Sequence, residues 1–187
     1  VLPPWVKERL DRGVRRISVW SAGCASGEEA YTLALVLLDS IEDFPSWSTY
    51  VLGTDINRSL VQQAREALYS RRAVSGVPVH LLERHLQPEE DRYRVAPSLR
   101  SLVHFDQGNL ADARSPSRIS FDFIFCRNVL MYFTEDTRQR ALEGMISSLA
   151  PDGVLFLGYS EPITWVDGLG LERVSFGQTH AFRKEQR

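Results

Sequence analysis

Trp20-Ser21-Ala22-Gly23-Cys24-Ala25-Ser26-Gly27-Glu28-Glu29 stands between two different apolar rhythms. Before it, Ile17, Val19 and then Ala22 alternate as a strand does over 16–21. After it, Tyr31, Ala34, Leu35 and Leu38 recur at helical spacing over 28–41. Strand, glycine turn and helix open a parallel α/β unit. The pattern then repeats. Tyr50-Val51-Leu52-Gly53-Thr54 is a second strand closed by Asp55, and Asn57 or Ser59 can cap a helix carrying Leu60, Val61, Ala64 and Leu68.

Farther out, a strand is expected over 102–105, and another over 121–126, apolar enough to be buried on both faces. A helix starts at Thr134 with Leu142, Met145, Ile146 and Leu149 on one stripe. Pro151-Asp152-Gly153 predicts a turn into a strand over 154–157, and a hairpin follows over 171–176 and 179–184 around Gly177. Residues 70–100 break the rhythm with short elements, the turn residues Gly76 and Pro78, and a charged tip at Pro88-Glu89-Glu90-Asp91. The whole predicts an α/β fold with a mostly parallel sheet and antiparallel strands added at one edge.

Composition agrees with one globular domain. The chain has 187 residues, 43% hydrophobic and 25% charged, a size at which roughly 70% of the unfolded surface can be buried. No apolar run approaches the ~18 residues of a membrane span, since the best, Tyr31 onward, stops at Asp39. Membrane insertion is therefore not expected. Cys24 and Cys126 lack CxxC spacing and read as reduced thiols of a cytoplasmic protein. The four histidines have no metal-ligand spacing, so no metal is expected. Val1-Leu2-Pro3-Pro4-Trp5 has neither an initiator Met nor a signal peptide's apolar core, and the sequence is read as a piece of a longer protein.

The net charge of −2 is unevenly spread: residues 1–16 carry +3, 17–57 carry −6 and 58–100 carry +3. The basic start, 1–15, reads as a linker or short helix ahead of a domain over 16–187. The basic middle either faces an acidic macromolecule or is a solvated face.

In parallel α/β sheets ligands sit beyond the carboxyl ends of the strands. At the first such exit, Gly23 and Gly27 let backbone approach a ligand. The turn is not GxGxxG, and GxxxxGK[ST] occurs nowhere, so a phosphate cradle is poorly supported. Glu28 and Glu29 would repel a pyrophosphate and attract an ammonium or sulfonium; alternatively they are acids placed favourably at a helix N-terminus. Asp55 at the second exit either grips a ribose diol or caps the next helix. Gly108-Asn109-Leu110 at the third offers an amide and an apolar face to an adenine, or is an ordinary turn. At the fourth, Arg127 and Asn128 follow a buried strand, and the aromatic face of Tyr132 could meet a sulfonium. The alternative for Arg127 is an ion pair with Asp122 or Asp55. Gly158-Tyr159-Ser160-Glu161-Pro162 lacks the second glycine of a hydrolase elbow.

Together with Gly53-Thr54-Asp55-Ile56, Phe121-Asp122, Phe125-Cys126-Arg127-Asn128-Val129-Leu130-Met131-Tyr132-Phe133 and Leu157-Gly158-Tyr159-Ser160-Glu161, these segments resemble the CheR-type chemotaxis receptor methyltransferases, in order from about residue 15 to 184. The resemblance implies a Rossmann-like S-adenosylmethionine methyltransferase with a seven-stranded sheet and a small inserted β subdomain, here about 77–105. It implies methyl ester formation on glutamates of the cytoplasmic helices of chemoreceptors, with S-adenosylhomocysteine as product. By motif, Glu28 would hold the methionyl end and Asp55 the ribose hydroxyls, with Gly23 and Ile56 also in the cofactor site. Asn109 and Leu110 would frame the adenine, Arg127 and Asn128 would complete the pocket, and Tyr132 would lie beside the methyl.

A monomer is expected, and no nucleic-acid partner. The family's N-terminal helical domain has no counterpart in the chain. Ala30 stands where the family usually has Pro, and Tyr159 where it often has His. The hairpin about 86–99 is short and lacks glycines, and no receptor tethering peptide is expected to bind it. The rival readings are a non-catalytic S-adenosylmethionine-binding regulator and a nicotinamide dehydrogenase on a similar sheet.

Overall fold

Apolar residues alternate across the strands and give the central sheet two buried faces. Val19, Val51, Phe123 and Val154 point to one side, and Trp20, Leu52, Ile124 and Leu155 to the other. Each fully buried Leu, Ile or Phe among them contributes about 1.5–3 kcal/mol. The computed structural model describes residues 2–112, 116, 118–159, 161, 169–176 and 179–184. Ser160, Pro162 and the Gly177 turn, named above, lie outside them.

The elements run α1 (Leu2–Asp11), β1 (Arg16–Ala22), α2 (Glu28–Ser40), β2 (Ser48–Asp55), α3 (Arg58–Glu66), β3 (Leu68–Ser70), α4 (Val79–His85), β4 (Leu86–Glu89), β5 (Arg92–Val95) and α5 (Pro97–Arg100). Then follow β6 (Val103–Gln107), β7 (Phe121–Cys126), α6 (Glu135–Ser148), β8 (Leu149–Leu157), β9 (Leu171–Phe176) and β10 (Thr179–Lys184). The large sheet has seven strands in the order β6-β2-β1-β7-β8-β10-β9. Its first five are parallel, and β10 and β9 join antiparallel. That is the expected Rossmann-like architecture. The chain runs outward from β1 through β2 to β6, then returns to β7 on the other side of β1. The strand order therefore reverses between β1 and β7, where a ligand crevice belongs.

Three details differ from expectation. The small sheet, ordered β3-β5-β4, already begins at Leu68, whereas Val103–Gln107 pairs with β2 in the large sheet. A three-residue strand with one buried side chain, Tyr69, is too short to show a period. Pro151-Asp152-Gly153 is no turn but an irregularity inside β8: the β7–β8 register shifts between Phe121 and Phe123, and Asp152 has φ 63°. A bulge tolerates Pro151, which has no N–H to give to a ladder. Thr134 does stand at the start of α6, but its hydroxyl meets Thr137 instead of capping backbone.

Helix α1 lies against the sheet's other end. Trp5 packs on Phe123 at 5.0 Å between ring centroids, and Arg9 bonds the buried carboxylate of Asp122 at 2.5 Å. Asp122 also accepts from the backbone N–H and the hydroxyl of Ser18, at 2.8 and 2.9 Å. A charge inside β7 is thus satisfied three times over, as burial requires.

Candidate functional site

The glycine turn is fastened to the neighbouring strand exit. The N–H groups of Gly23 and Cys24 both donate to the Thr54 carbonyl, at 2.8 and 2.9 Å. Trp20 Nε1 donates to the Thr54 hydroxyl at 2.8 Å. Gly27, at φ 93°, stands at the start of α2 in a backbone conformation that glycine adopts without strain. The small sheet braces the same turn, because Tyr69 donates its hydroxyl to the Ser26 carbonyl at 2.8 Å.

Asp55 takes up two backbone N–H groups, Ala25 at 2.9 Å through Oδ2 and Asn57 at 2.9 Å through Oδ1. Asn57 itself caps α3, accepting from Ser59 and Leu60. Asp55 is therefore held rigid, and each oxygen keeps a lone pair for a further donor. Gly108 N–H donates to the Asp55 carbonyl at 3.0 Å, which ties the third exit to the second. Asn109 closes its own turn, accepting from Ala111 N–H and donating to Asp112.

Between the exits of β1, β2, β6 and β7 lies a cleft of about 480 Å³, within the usual range for small-molecule sites. The structure brings every sequence-predicted site residue to it: Gly23, Glu28, Asp55, Ile56, Asn109, Leu110, Arg127, Asn128 and Tyr132 all line its walls. Tyr132 is 81% exposed and stands at the mouth. Phe133 and Val129 add apolar surface.

Sequence reasoning missed the role of Glu29. It accepts from the Ser21 hydroxyl at 2.8 Å and from Arg127 Nη1 at 3.5 Å, bridging the first and fourth exits. This corrects the alternative pairing of Arg127 with Asp122 or Asp55. Asp122 is near the start of β7 and Arg127 just past its end, roughly 16 Å along an extended chain. The Arg127–Glu29 pair is partly exposed and contributes little stability; its effect is to set the direction of both side chains. Glu28 turns back to the Ser26 hydroxyl.

The wall is thus acidic, with three carboxylates and one arginine already paired. Such a set of acceptors disfavours phosphates and suits a ligand carrying a positive centre and hydroxyl groups. No cluster among the described residues could hold a metal ion, and no described helix is long and apolar enough to cross a membrane.

Burial, and secondarily the Asp55 charge, pushes the Cys24 thiol up to about 12. Burial pushes Cys126 up as well, helped by Glu161 and Glu29. Both sulfurs therefore stay protonated at neutral pH and are poor nucleophiles. Iodoacetamide is expected to label neither in the folded protein and both after denaturation. Rapid labelling of Cys24 by mass spectrometry would contradict this.

Residues 1–172 match the family described as CheR methyltransferase, SAM binding domain. A chemotaxis protein methyltransferase of Borreliella burgdorferi is 37% identical over 87% of this chain and 58% of its own length. That of Escherichia coli is 33% identical over 84% of this chain and 56% of its own. A probable biofilm formation methyltransferase of Pseudomonas putida is 33% identical over 93% of this chain and 41% of its own. The chain spans less than three fifths of the length of each of these relatives.

Solved structures agree on the fold. A TehB-like SAM-dependent methyltransferase from Corynebacterium glutamicum superposes with a TM-score of 0.57 at 18% identity, covering 96% of this chain and 86% of that one. Magnesium protoporphyrin IX methyltransferase from Synechocystis, with bound SAM, gives 0.52 at 15%, covering 98% and 76%. With the strand order, the cleft at its reversal and the match over 1–172 in agreement, the chain belongs to the CheR methyltransferase family, of which it is the S-adenosylmethionine-binding domain.

Proposed function

We propose that this domain holds S-adenosylmethionine in the cleft for methyl transfer to glutamate side chains on the cytoplasmic helices of chemoreceptors. The observation that supports this best is the acidic wall at the strand-order reversal, with Asp55 fixed by two N–H groups and Glu29 by Ser21 and Arg127. When bound, S-adenosylmethionine supplies an electrophilic methyl group on a sulfonium.

The chain's own residues bind, orient and exclude water. Asp55 accepts from the ribose hydroxyls, with Ile56 beside it, and Asn109 and Leu110 frame the adenine. Gly23 permits close approach, and Glu28 meets the cationic methionyl end. Arg127 and Asn128 close the inner wall, and Tyr132 lies at the mouth where the acceptor arrives.

No general base is needed. A glutamate side chain, with an ordinary pKa of about 4.3, is already ionised at neutral pH. Among the described residues no histidine lines the cleft, in keeping with that chemistry. Rate enhancement then comes mainly from alignment of acceptor and methyl, an effect worth up to ~7–11 kcal/mol in favourable cases.

The test is transfer of a labelled methyl group to a chemoreceptor cytoplasmic fragment by the protein carrying this domain. Base-labile label, lost when the receptor glutamates are replaced by alanine, is expected. Cofactor binding without any transfer would instead assign a non-catalytic, cofactor-sensing role.

Two substitutions probe the assignments. Asp55→Ala is expected to weaken S-adenosylhomocysteine binding by ~1–3 kcal/mol, about 5- to 150-fold, through loss of a fixed acceptor. Unchanged affinity in a folded variant would remove Asp55 from the site. Tyr132→Phe, which removes only the hydroxyl of an 81% exposed side chain, is expected to lower kcat more than cofactor affinity. The reverse pattern would make Tyr132 a cofactor-binding residue.

A further inference from the structure

Glu161 lies just beyond β8 and does not line the cleft, yet its side chain is buried, at 4% exposure. Its Oε1 accepts from the Val129 N–H at 2.7 Å. Its Oε2 is buried too, without a hydrogen-bond partner among the described residues. A leucine would fill such a place at lower desolvation cost, so the carboxylate must be judged by what it holds.

It holds the centre of a loop. Residues 127–133 carry Arg127, Asn128 and Tyr132, and Val129 stands between the last two. Asn128 has φ 58°, in the left-handed region that Asn enters more easily than most non-glycine residues. The β8 exit presses on this point: a Cβ on Gly158 would come within 3.2 Å of both Asn128 N and Oδ1. On the opposite side Val129 meets the glycine turn so closely that a Cβ on Gly23 would lie 2.4 Å from its Cγ2. From α6, Arg138 donates to the carbonyls of Leu130 at 3.2 Å and Phe133 at 3.0 Å. Arg138 thus fixes the loop's far half; in its near half the Arg127 side chain reaches Glu29 at 3.5 Å, and the Val129 backbone N–H donates to Glu161.

We infer that Glu161 is a positioning residue of the cofactor site: by accepting from Val129 N–H it sets the loop bearing Arg127, Asn128 and Tyr132 and, through Val129, the Gly23 turn. This rests on the functional reading above only for the choice of ligand.

The discriminating variants are Glu161→Gln, which keeps a carbonyl acceptor, and Glu161→Leu, which keeps the bulk and loses the acceptor. Glu161→Leu is expected to bind S-adenosylhomocysteine about tenfold or more weaklier than wild type, and Glu161→Gln to stay within about threefold. Amide exchange at Val129 should accelerate about tenfold or more in the leucine variant, with the amides of Phe123, Ile124 and Phe125 unchanged. Full affinity in Glu161→Leu, or equal losses in both variants, would overturn the assignment. Should Glu161→Leu not fold, a loss of tenfold in Glu161→Gln would overturn it alone. If wild type binds no S-adenosylhomocysteine, the ligand assignment fails, and exchange at Val129 alone decides whether Glu161 holds the loop.

Discussion

Asp122→Ala is expected to destabilise the fold by about 3–5 kcal/mol, the usual cost of breaking a buried ion pair from one side. The carboxylate is 1% exposed and accepts from Arg9, the Ser18 hydroxyl and the Ser18 N–H. Its loss strands a buried backbone donor in β1 and a guanidinium whose side chain is only 18% exposed. Arg9→Ala should cost less, because the Ser18 donors still satisfy Asp122. Urea denaturation of both variants checks the order. A loss below about 1 kcal/mol for Asp122→Ala would mean that the pair does not seat α1 on the sheet.

Gly27→Ala is expected to cost about 2–5 kcal/mol, as the sum of two penalties. A left-handed L-residue costs roughly 1–2 kcal/mol, and overpacking typically a further 1–3 kcal/mol. The observed φ is 93°, and a Cβ would come within 2.7 Å of Ala64 Cβ and 2.9 Å of Phe105 Cζ and Tyr69 Oη. None of these can retreat freely, since Ala64 and Phe105 are core residues and Tyr69 is bonded to Ser26. Gly13→Ala is the control: its φ is 70° but nothing lies within 4 Å, so only the backbone penalty applies. Denaturation midpoints should separate the two variants, and S-adenosylhomocysteine affinity should fall for Gly27→Ala alone. Equal midpoints would show that the turn can relax.

The strand exits were legible because each carries polar or small residues directly after an apolar run, and a parallel sheet puts all such exits on one edge. Hence Gly23, Asp55, Asn109 and Arg127, far apart in sequence, could be expected in one place. What closes the site was not legible. The pairs Arg9–Asp122 and Glu29–Arg127 join residues about a hundred positions apart, and which acid meets which arginine depends on the end of the strand each occupies. Asp122 sits inside a run that is otherwise apolar, and only its three donors explain why a charge survives there. The small sheet's support of the glycine turn hangs on a single hydroxyl, Tyr69, in a strand too short for any period. The bulge at Asp152 looks like a turn because the same residue types serve both.

Titration of the chain with S-adenosylhomocysteine, with NAD as control, tests the central claim most directly. The acidic wall and the held Asp55 predict one bound S-adenosylhomocysteine per chain and no NAD. A folded chain that binds NAD, or binds neither ligand, would contradict the assignment of this cleft.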